Sequence, residues 1–374
     1  MDKVKMKKRV GIDFHVVDGL FQGSKTYMLE LFPRLFEIAH NYDFYLFLDD
    51  VEALRKTSPA FSLPNVHLIY MPHAGPIKRL CWQLPLLQRK YRLDLLHVQY
   101  VMPIPSFSPC MVSLHDILFE SYPEYFTPSF RLRSRILMRL SAWRAAHVFT
   151  ISEFSLKEIH EHYRVPLERL SLVHCAVNHN SYYPGNEGEQ YVVDRGLKSK
   201  GYVLCVGRLE PRKNHINLFK AYAKIDTTVP LVIVGQRHFG YEKIFSLVSE
   251  LGIEKRVIFI EDGSNDELPA LYRHALLFVY PTWAEGFGMP PLEAMASGVP
   301  TISSGNTSIP EVVGKAGILI DPADVAEIAL AIDSYLKSPE QRSQSILLGL
   351  EQAQVFDWHK SAVNVKNTYD KFFK

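Results

Sequence analysis

Short apolar runs alternate along the first half of the chain with longer segments whose apolar residues recur every three or four positions. The runs predict strands at residues 9–14, 44–48, 66–70, 95–99, 110–114 and 147–151. Nearly all-apolar strands separated by helical patterns are typical of parallel strands buried on both faces. The pattern therefore predicts an α/β fold with a doubly wound sheet, whose first helix covers residues 24–39.

The alternation stops between residues 181 and 200, where Asn, Gly, Ser and charged residues indicate a linker. It then restarts with strands at 202–206, 230–234, 257–260, 276–280 and 299–303, and with helices near 214–225 and 241–251. We therefore expect two Rossmann-like domains, 1–180 on the acceptor side and 201–356 on the nucleotide side, which face each other across a cleft. The last helix, 357–374, is expected to pack back on the first domain.

Composition narrows the class of protein. The 374 residues are 47% hydrophobic and carry a net charge of +2, which fits two globular domains and gives no reason to expect a nucleic acid partner. The four cysteines form no CxxC pair, as expected of reduced thiols. No signal peptide and no run of about 18 apolar residues appears. We expect a cytoplasmic protein, with peripheral contact at the inner face of the membrane as a possibility.

Two carboxylates flank a corner rich in glycine and proline. Glu285 lies in the loop after strand 276–280, and Glu293 in the first turn of a helix predicted at 290–296. Carboxylates only accept hydrogen bonds, which suits a ligand with hydroxyls such as a ribose or a hexose. The alternative is that Glu293 complements the helix dipole and Glu285 is a solvated loop charge.

Two further corners follow predicted strands. In VGRLEPRKN, Arg208 and Lys213 bracket a strand-to-helix turn and could bind a pyrophosphate, whereas Arg212 is better explained as a solvated side chain. His115 and Asp116 follow strand 110–114, where a histidine could position a substrate or move a proton. A structural hydrogen bond explains that pair equally well.

A fourth corner, GLFQGSKTYM, places Gly19 and Gly23 before the first helix. It lacks the GxGxxG spacing of dinucleotide-binding turns, so a nicotinamide cofactor is not supported.

Together these corners resemble the retaining, nucleotide-sugar-dependent glycosyltransferases with the GT-B fold, of the family-4 type. The resemblance covers essentially the whole chain. It is strongest over VGRLEPRKN, HALLFVYPTWAEGFGMPPLEAMASGVPTISS and SIPEVVGKAGILIDPAD, where the two acids match the E-x7-E signature of that family.

The resemblance implies roles for individual residues. Glu285 would bind hydroxyls of the transferred sugar, Glu293 the ribose, and Arg208 and Lys213 the pyrophosphate, while His115 would lie by the anomeric centre. The remaining site residues are the backbone amides of Gly286, Phe287 and Gly288 at sugar or phosphate oxygens, Gly23 near phosphate and acceptor, and Asp116 on the acceptor side. Two departures weaken parts of this assignment: the glycine cluster around Gly23 is sparse, and Pro290 and Pro291 remove two amide donors.

The implied reaction moves a hexose from a nucleoside-diphosphate sugar to a hydroxyl of a glycan or lipid-linked saccharide, as in O-antigen and polysaccharide biosynthesis. GDP-mannose is favoured over UDP-glucose and UDP-GlcNAc. The route would be front-face attack with retention, without a metal or cofactor. A nucleotide-sugar 2-epimerase of the same fold and a non-catalytic nucleotide-sugar-binding protein remain alternatives. The arginine-rich segment 128–149 is either a surface helix or a site of weak membrane contact.

Overall fold

The computed structural model describes residues 7–18, 23–262 and 267–374. The chain divides into two compact units, of which unit 1 comprises Met1–Cys175 with Asp357–Lys374 and unit 2 comprises Ala176–Phe356. Each unit is built on one parallel sheet with helices between its strands.

The sheet of unit 1 has the order β3-β2-β1-β4-β5-β6-β7. Its strands are β1 Lys8–Asp13, β2 Tyr42–Leu48, β3 Val66–Tyr70, β4 Leu95–Gln99, β5 Cys110–Ser113, β6 His147–Thr150 and β7 Leu170–Leu172. The helices between them are α1 Gly23–Ile38, α2 Val51–Thr57, α3 Pro76–Lys78, α4 Leu84–Tyr91, α5 Leu118–Ser121, α6 Pro128–Arg144 and α7 Glu153–Tyr163. A π-helical turn, Arg79–Gln83, joins α3 to α4.

The sheet of unit 2 has the order β10-β9-β8-β11-β12-β13. Its strands are β8 Val203–Val206, β9 Leu231–Val234, β10 Val257–Ile260, β11 Leu277–Tyr280, β12 Thr301–Ser304 and β13 Ile318–Ile320. Its helices are α8 Glu189–Asp194, α9 His215–Ala223, α10 Glu242–Glu250, α11 Leu268–Arg273, α12 Met289–Ala296, α13 Ile309–Val313, α14 Val325–Lys337 and α15 Pro339–Ala353. The last helix of the chain, α16 Trp358–Phe372, belongs to unit 1.

Short 3-10 turns precede or follow several of these elements. They are His15–Asp18, Pro59–Ser62, Pro123–Tyr125, Leu167–Arg169, Pro211–Lys213 and Glu254–Arg256.

The predicted fold class is confirmed, because both sheets are parallel and doubly wound. The sequence pattern missed β7 and β13, which are only three residues long and lie at sheet edges. A strand of three residues is too short to show the alternation or the apolar run on which the prediction depends. The predicted Gly19 turn lies outside the described residues.

The segment 181–200, predicted as a linker, lies within unit 2. It contains α8, whose Val192 is fully buried in the core of that unit. The buried guanidinium of Arg273 donates hydrogen bonds to the backbone oxygens of Ser181, Tyr183 and Glu187, at 2.8–3.0 Å. A long-range partner thus orders a stretch that has little apolar periodicity of its own.

Both sheets change winding direction between two neighbouring strands. In unit 1 these strands are β1 and β4, and in unit 2 they are β8 and β11. The loops that leave the carboxyl ends of such a pair diverge to opposite faces and open a crevice, which is where α/β sheets bind ligands. The candidate residues Arg208, Lys213 and Glu285 all follow β8 or β11.

Helix α16 packs on α1 and is tied to the sheet of unit 1 by a buried polar chain. His97 on β4 contacts the Tyr369 hydroxyl of α16 through Nδ1 at 2.6 Å, and the Ser113 hydroxyl of β5 through Nε2 at 2.8 Å. Burial lowers the pKa of His97 to about 3, so the ring is neutral and both nitrogens need these partners.

We predict that Tyr369→Phe lowers the free energy of unfolding by about 1–3 kcal/mol, because Nδ1 of His97 is left buried without a partner. Chemical denaturation measures the effect. Lys366→Ala on the same helix is the matched control. It removes only a partly exposed ion pair with Asp370 and should change stability by less than about 1 kcal/mol. Equal effects of the two variants would contradict the prediction.

Candidate functional site in unit 2

The loops after β8 and β11 meet at the carboxyl edge of the unit 2 sheet. Asn214 joins them, since its side-chain amide donates to the backbone oxygens of Pro281 at 2.9 Å and Pro322 at 2.7 Å. Asn214 itself has a φ of 58°, a left-handed conformation that asparagine tolerates better than most residues. The turn that it makes places Lys213 directly before α9 and beside the β11 loop.

Four polar groups converge on one oxygen of Glu285. Its Oε1 lies 2.7 Å from Nζ of Lys213 and 3.0 Å from Nη1 of Arg212. The hydroxyls of Tyr280 and Thr282 lie 2.8 and 2.9 Å from the same oxygen. The other oxygen, Oε2, makes no hydrogen bond within the part of the chain that the structure describes.

The charges around Glu285 keep it ionised although it is buried. Burial alone would raise the pKa of this carboxyl, but Arg212 and Lys213 outweigh that effect and lower the pKa to about 2. The pKa of Lys213 is also lowered, because burial disfavours its charge more than Glu285 restores it. The arrangement provides a fixed negative group with one oxygen available to a hydrogen-bond donor.

The interpretation of Arg212 as a solvated side chain is wrong. Its guanidinium is largely buried and also pairs with Glu210 at 2.8 Å, and it donates to the backbone oxygen of Ala284 at 2.5 Å. Ala284 lies 72 residues away in the sequence, so the local basic pattern could not reveal this contact. Tyr280 and Thr282 were missed as well, although they lie only five and three residues before Glu285 in the sequence.

Arg208 follows β8 and points to solvent. Its side chain is exposed and forms no ion pair within the described residues. Arg208 and Lys213 therefore differ, because one cation is free to meet a ligand and the other is already paired with Glu285. Two cations at the end of one strand suit an anionic ligand such as a pyrophosphate.

Glu293 is the fifth residue of α12 and so lies in its second turn, one turn later than predicted. Burial raises the pKa of this carboxyl to about 7, and the hydroxyls of Tyr272 and Tyr182 beside it offset only part of the rise. The two acids of the signature thus have opposite environments. Glu285 is stabilised as an anion, whereas burial favours the protonated form of Glu293.

The loop between the two acids is fixed through its backbone. Ser308 donates to the carbonyl oxygens of Glu285 and Phe287, at 2.8 and 2.7 Å. The backbone N–H of Glu285 donates to the Thr307 hydroxyl at 3.2 Å. Gly288 has a φ of 117°, and a Cβ there would lie 2.7 Å from Ile309, so glycine is required before α12.

In unit 1, His115 lies just past β5 and is buried. Its Nε2 is 3.0 Å from Oε1 of Gln99, at the end of the neighbouring strand β4. The carboxylate of Asp116 accepts a hydrogen bond from the backbone N–H of Leu118 at 3.2 Å. Gly23 is the first residue of α1, and a Cβ there would meet no described atom within 4 Å, so no close approach requires glycine at this position.

Comparison with known protein families gives one match in each half of the chain. Residues 21–181 match the family described as Glycosyltransferase Family 4, and residues 192–346 match the family described as Glycosyl transferases group 1. The first match falls within unit 1 apart from its last residues, and the second lies wholly in unit 2.

The chain is also similar in sequence to named proteins and in fold to a solved structure. The chain is 34% identical over 266 residues to O-antigen chain mannosyltransferase B of Escherichia coli, a match that covers 69% of each chain. It is 30% identical over 241 residues to O-antigen chain mannosyltransferase RfbU of Salmonella typhimurium, covering 64% of this chain and 65% of that protein. Its fold matches that of HepE from Anabaena, crystallised with UDP and glucose, with a TM-score of 0.77 and 20% identity over 97% of this chain and 100% of the other.

We predict that Glu293→Gln removes a pH dependence of stability. A carboxyl whose pKa rises on folding stabilises the folded state below its unfolded pKa of 4.5, and this contribution is lost as the pH rises towards about 7. The free energy of unfolding of Glu293→Gln relative to that of the wild type should therefore rise by up to about 3 kcal/mol between pH 4.5 and pH 8.

Denaturation at a series of pH values measures this gain. Glu250→Gln, an exposed position at the end of α10 in the same unit, is the control and should follow the wild type at every pH. A Glu293→Gln curve parallel to that of the wild type would contradict the raised pKa.

Proposed function

Because this chain belongs to the family-4 glycosyltransferases, we propose that it transfers a hexose, with mannose favoured, from a nucleoside-diphosphate sugar to a hydroxyl of a glycan or lipid-linked saccharide. The proposal includes retention of the anomeric configuration. The names of the two O-antigen mannosyltransferases among its relatives support mannose as the sugar and a surface polysaccharide as the product.

The observation that carries the proposal is the environment of Glu285. Oε1 is surrounded by four polar groups and the pKa is lowered to about 2, so the carboxylate keeps its charge and its orientation. Oε2 remains as a fixed acceptor at the carboxyl edge of the sheet. Sugars offer several neighbouring hydroxyl donors, and a charged acceptor makes hydrogen bonds of about 1.5–3 kcal/mol to them.

The same edge supplies cations for the diphosphate. We assign Arg208, which is exposed, and Lys213, which is held by Glu285, to the pyrophosphate of the donor. Glu293 would accept the ribose hydroxyls. Its raised pKa fits a group that lacks cationic partners and is completed by neutral hydroxyls. His115 of unit 1 is assigned to the transferred hexose near its anomeric centre.

In the proposed reaction, the acceptor oxygen forms a bond to the anomeric carbon on the face from which the phosphate leaves. The bond between that carbon and the phosphate oxygen breaks, and the proton of the acceptor hydroxyl passes to the departing phosphate. Arg208 and Lys213 would stabilise the negative charge that develops on the leaving group. The route calls for neither a metal ion nor an organic cofactor, because these side chains supply the positive charge.

We predict that the purified protein, with EDTA present, releases nucleoside diphosphate from GDP-mannose faster than from UDP-glucose or UDP-GlcNAc. Arg208→Ala should lower kcat/KM by about 10²–10³-fold, the loss expected when one charge-stabilising donor is removed. Its thermal unfolding should be unchanged, since the side chain is exposed.

Lys255→Ala is the matched control, because Lys255 is an exposed cation just before β10, at the opposite edge of the same sheet. It should leave kcat/KM unchanged. Full activity of Arg208→Ala, or release that depends on a divalent metal, would contradict the assignment.

We further propose that α6 makes weak contact with anionic lipid, as a lipid-linked acceptor would require. The helix contains five arginines and no acidic residue. Leu132, Ile136 and Trp143 recur on one face and are exposed by 62%, 57% and 66%. The inward face of the helix packs Phe130, Met138 and Ala142 against the core of unit 1. An ordinary surface helix needs only that stripe, so the exposed apolar residues form a second apolar surface. Within the described residues, no helix is long and apolar enough to cross a membrane.

We predict that the protein co-sediments with vesicles containing phosphatidylglycerol and that binding weakens as salt is raised. Replacing Ile136 and Trp143 together by serine should lower the partition at least tenfold, since both apolar side chains would be lost from the contact face. Leu330→Ser is the control, because Leu330 is equally exposed, at 70%, on α14 of unit 2. Equal loss in both variants, or equal binding to phosphatidylcholine vesicles, would contradict a specific role of α6.

A further inference from the structure

The imidazole of His115 is buried and contacts side chains from several elements. Its ring packs against the rings of Tyr27 and Tyr100, with centroid distances of 4.6 and 5.1 Å. Its backbone oxygen accepts a hydrogen bond from the Thr150 hydroxyl at 3.0 Å. Only 4% of the residue is exposed. These contacts fix the plane of the ring but do not decide which nitrogen carries the proton.

Gln99 connects His115 to a third side chain. Its Oε1 lies 3.0 Å from Nε2 of His115, and its Nε2 lies 3.1 Å from the sulfur of Met28 on α1. Gln99 is itself buried at the carboxyl end of β4. The amide therefore has a sulfur on one side and an imidazole on the other.

The sulfur decides the orientation of the amide. A thioether has lone pairs and no hydrogen to donate, so only the NH₂ group of Gln99 can face Met28 favourably. The carbonyl oxygen must then face His115. Because a carbonyl oxygen only accepts, the nitrogen opposite it, Nε2 of His115, must carry a hydrogen.

The ring carries a single proton. Burial lowers the pKa of His115 to about 4, so the imidazole is neutral at physiological pH. The titratable groups around it are Tyr27 from α1, Tyr100 and His97 from β4 and its end, and the neighbouring Asp116. With its one proton on Nε2, the ring has a lone pair on Nδ1, which has no hydrogen-bond partner among the described residues.

We propose that Met28 and Gln99 set the tautomer of His115, so that Nδ1 is a permanent hydrogen-bond acceptor for a hydroxyl of the bound sugar. This inference rests on the proposed function. Gln99 is then a positioning residue, and the site should prefer a sugar hydroxyl to other groups at that place. A sugar with a hydroxyl at that place is accepted, whereas a carboxylate or a fluorine there offers no hydrogen and meets the lone pair of Nδ1.

The tautomer is tested first, on the ligand-free protein, by ¹⁵N NMR with labelled histidine. The His115 signals are assigned from their loss in His115→Gln. We expect a protonated Nε2 and an unprotonated Nδ1 in the wild type, and a mixture of tautomers in Gln99→Leu. A protonated Nδ1 in the wild type would overturn the inference whatever the enzyme transfers.

Gln99→Glu provides the conservative variant. A carboxylate still accepts from Nε2–H, but its charge favours the imidazolium, in which Nδ1 is protonated as well. The variant should match the wild type at high pH, and the acidic limb of its kcat/KM profile should move to higher pH. Gln99→Leu should instead lose at least tenfold in kcat/KM at all pH values. Identical profiles of Gln99→Glu and the wild type would overturn the role of Gln99.

The sugar contact is tested with donors in which single hydroxyls are replaced by fluorine. Replacement of one of these hydroxyls should lower the affinity of the wild type for the donor at least tenfold, as measured by calorimetry. The same replacement should lower the affinity of His115→Gln much less. If every position costs both proteins the same, Nδ1 does not contact the sugar and that part of the inference falls. If no nucleotide sugar binds, the proposed function fails, while the NMR result still decides the tautomer.

Discussion

The side chains at the carboxyl edge of the unit 2 sheet are arranged around the negative charge of Glu285. A carboxylate this deeply buried would normally take up a proton, and it stays ionised only because Arg212 and Lys213 lie within 3.0 Å of Oε1. Lys213 and Arg212 come from the turn after β8, and Glu285 comes from the loop after β11. They meet because these strands are neighbours at the point where the winding of the sheet reverses. Asn214 and Ser308 then fix both loops through backbone contacts.

Glu285 and Glu293 are eight residues apart in the sequence, but their pKa values are shifted in opposite directions. Glu285 is surrounded by cations and hydroxyls, whereas Glu293 lies beside Tyr182 and Tyr272 with burial as the dominant influence on its pKa. The first therefore keeps a fixed charge, whereas the second takes up a proton more readily than an ordinary glutamate. In unit 1, burial lowers the pKa of His115, and Nε2 of its ring faces the side-chain oxygen of Gln99.

Sequence patterns were sufficient for what depends on local periodicity. Nearly all-apolar runs located eleven of the strands within two residues, and the E-x7-E segment located both acids. The patterns failed where long-range contacts decide the outcome. Arg212 is ordered by Glu285 and Ala284, and the segment 181–200 is ordered by Arg273, both across large separations in sequence. Gln99 gave no signal at all, because its importance depends on a methionine and a histidine that come from two other elements.

Calorimetry on Glu285→Gln tests most directly whether Glu285 binds the sugar of the donor and not its diphosphate. If Glu285 binds the sugar, GDP-mannose should bind to this variant at least tenfold more weakly than to the wild type, a loss of about 1.4 kcal/mol or more. Binding of GDP alone should be retained or tighten, since Lys213 and Arg212 lose their negative partner. Unchanged affinity for GDP-mannose, or an equal loss for GDP and GDP-mannose, would contradict this role of Glu285.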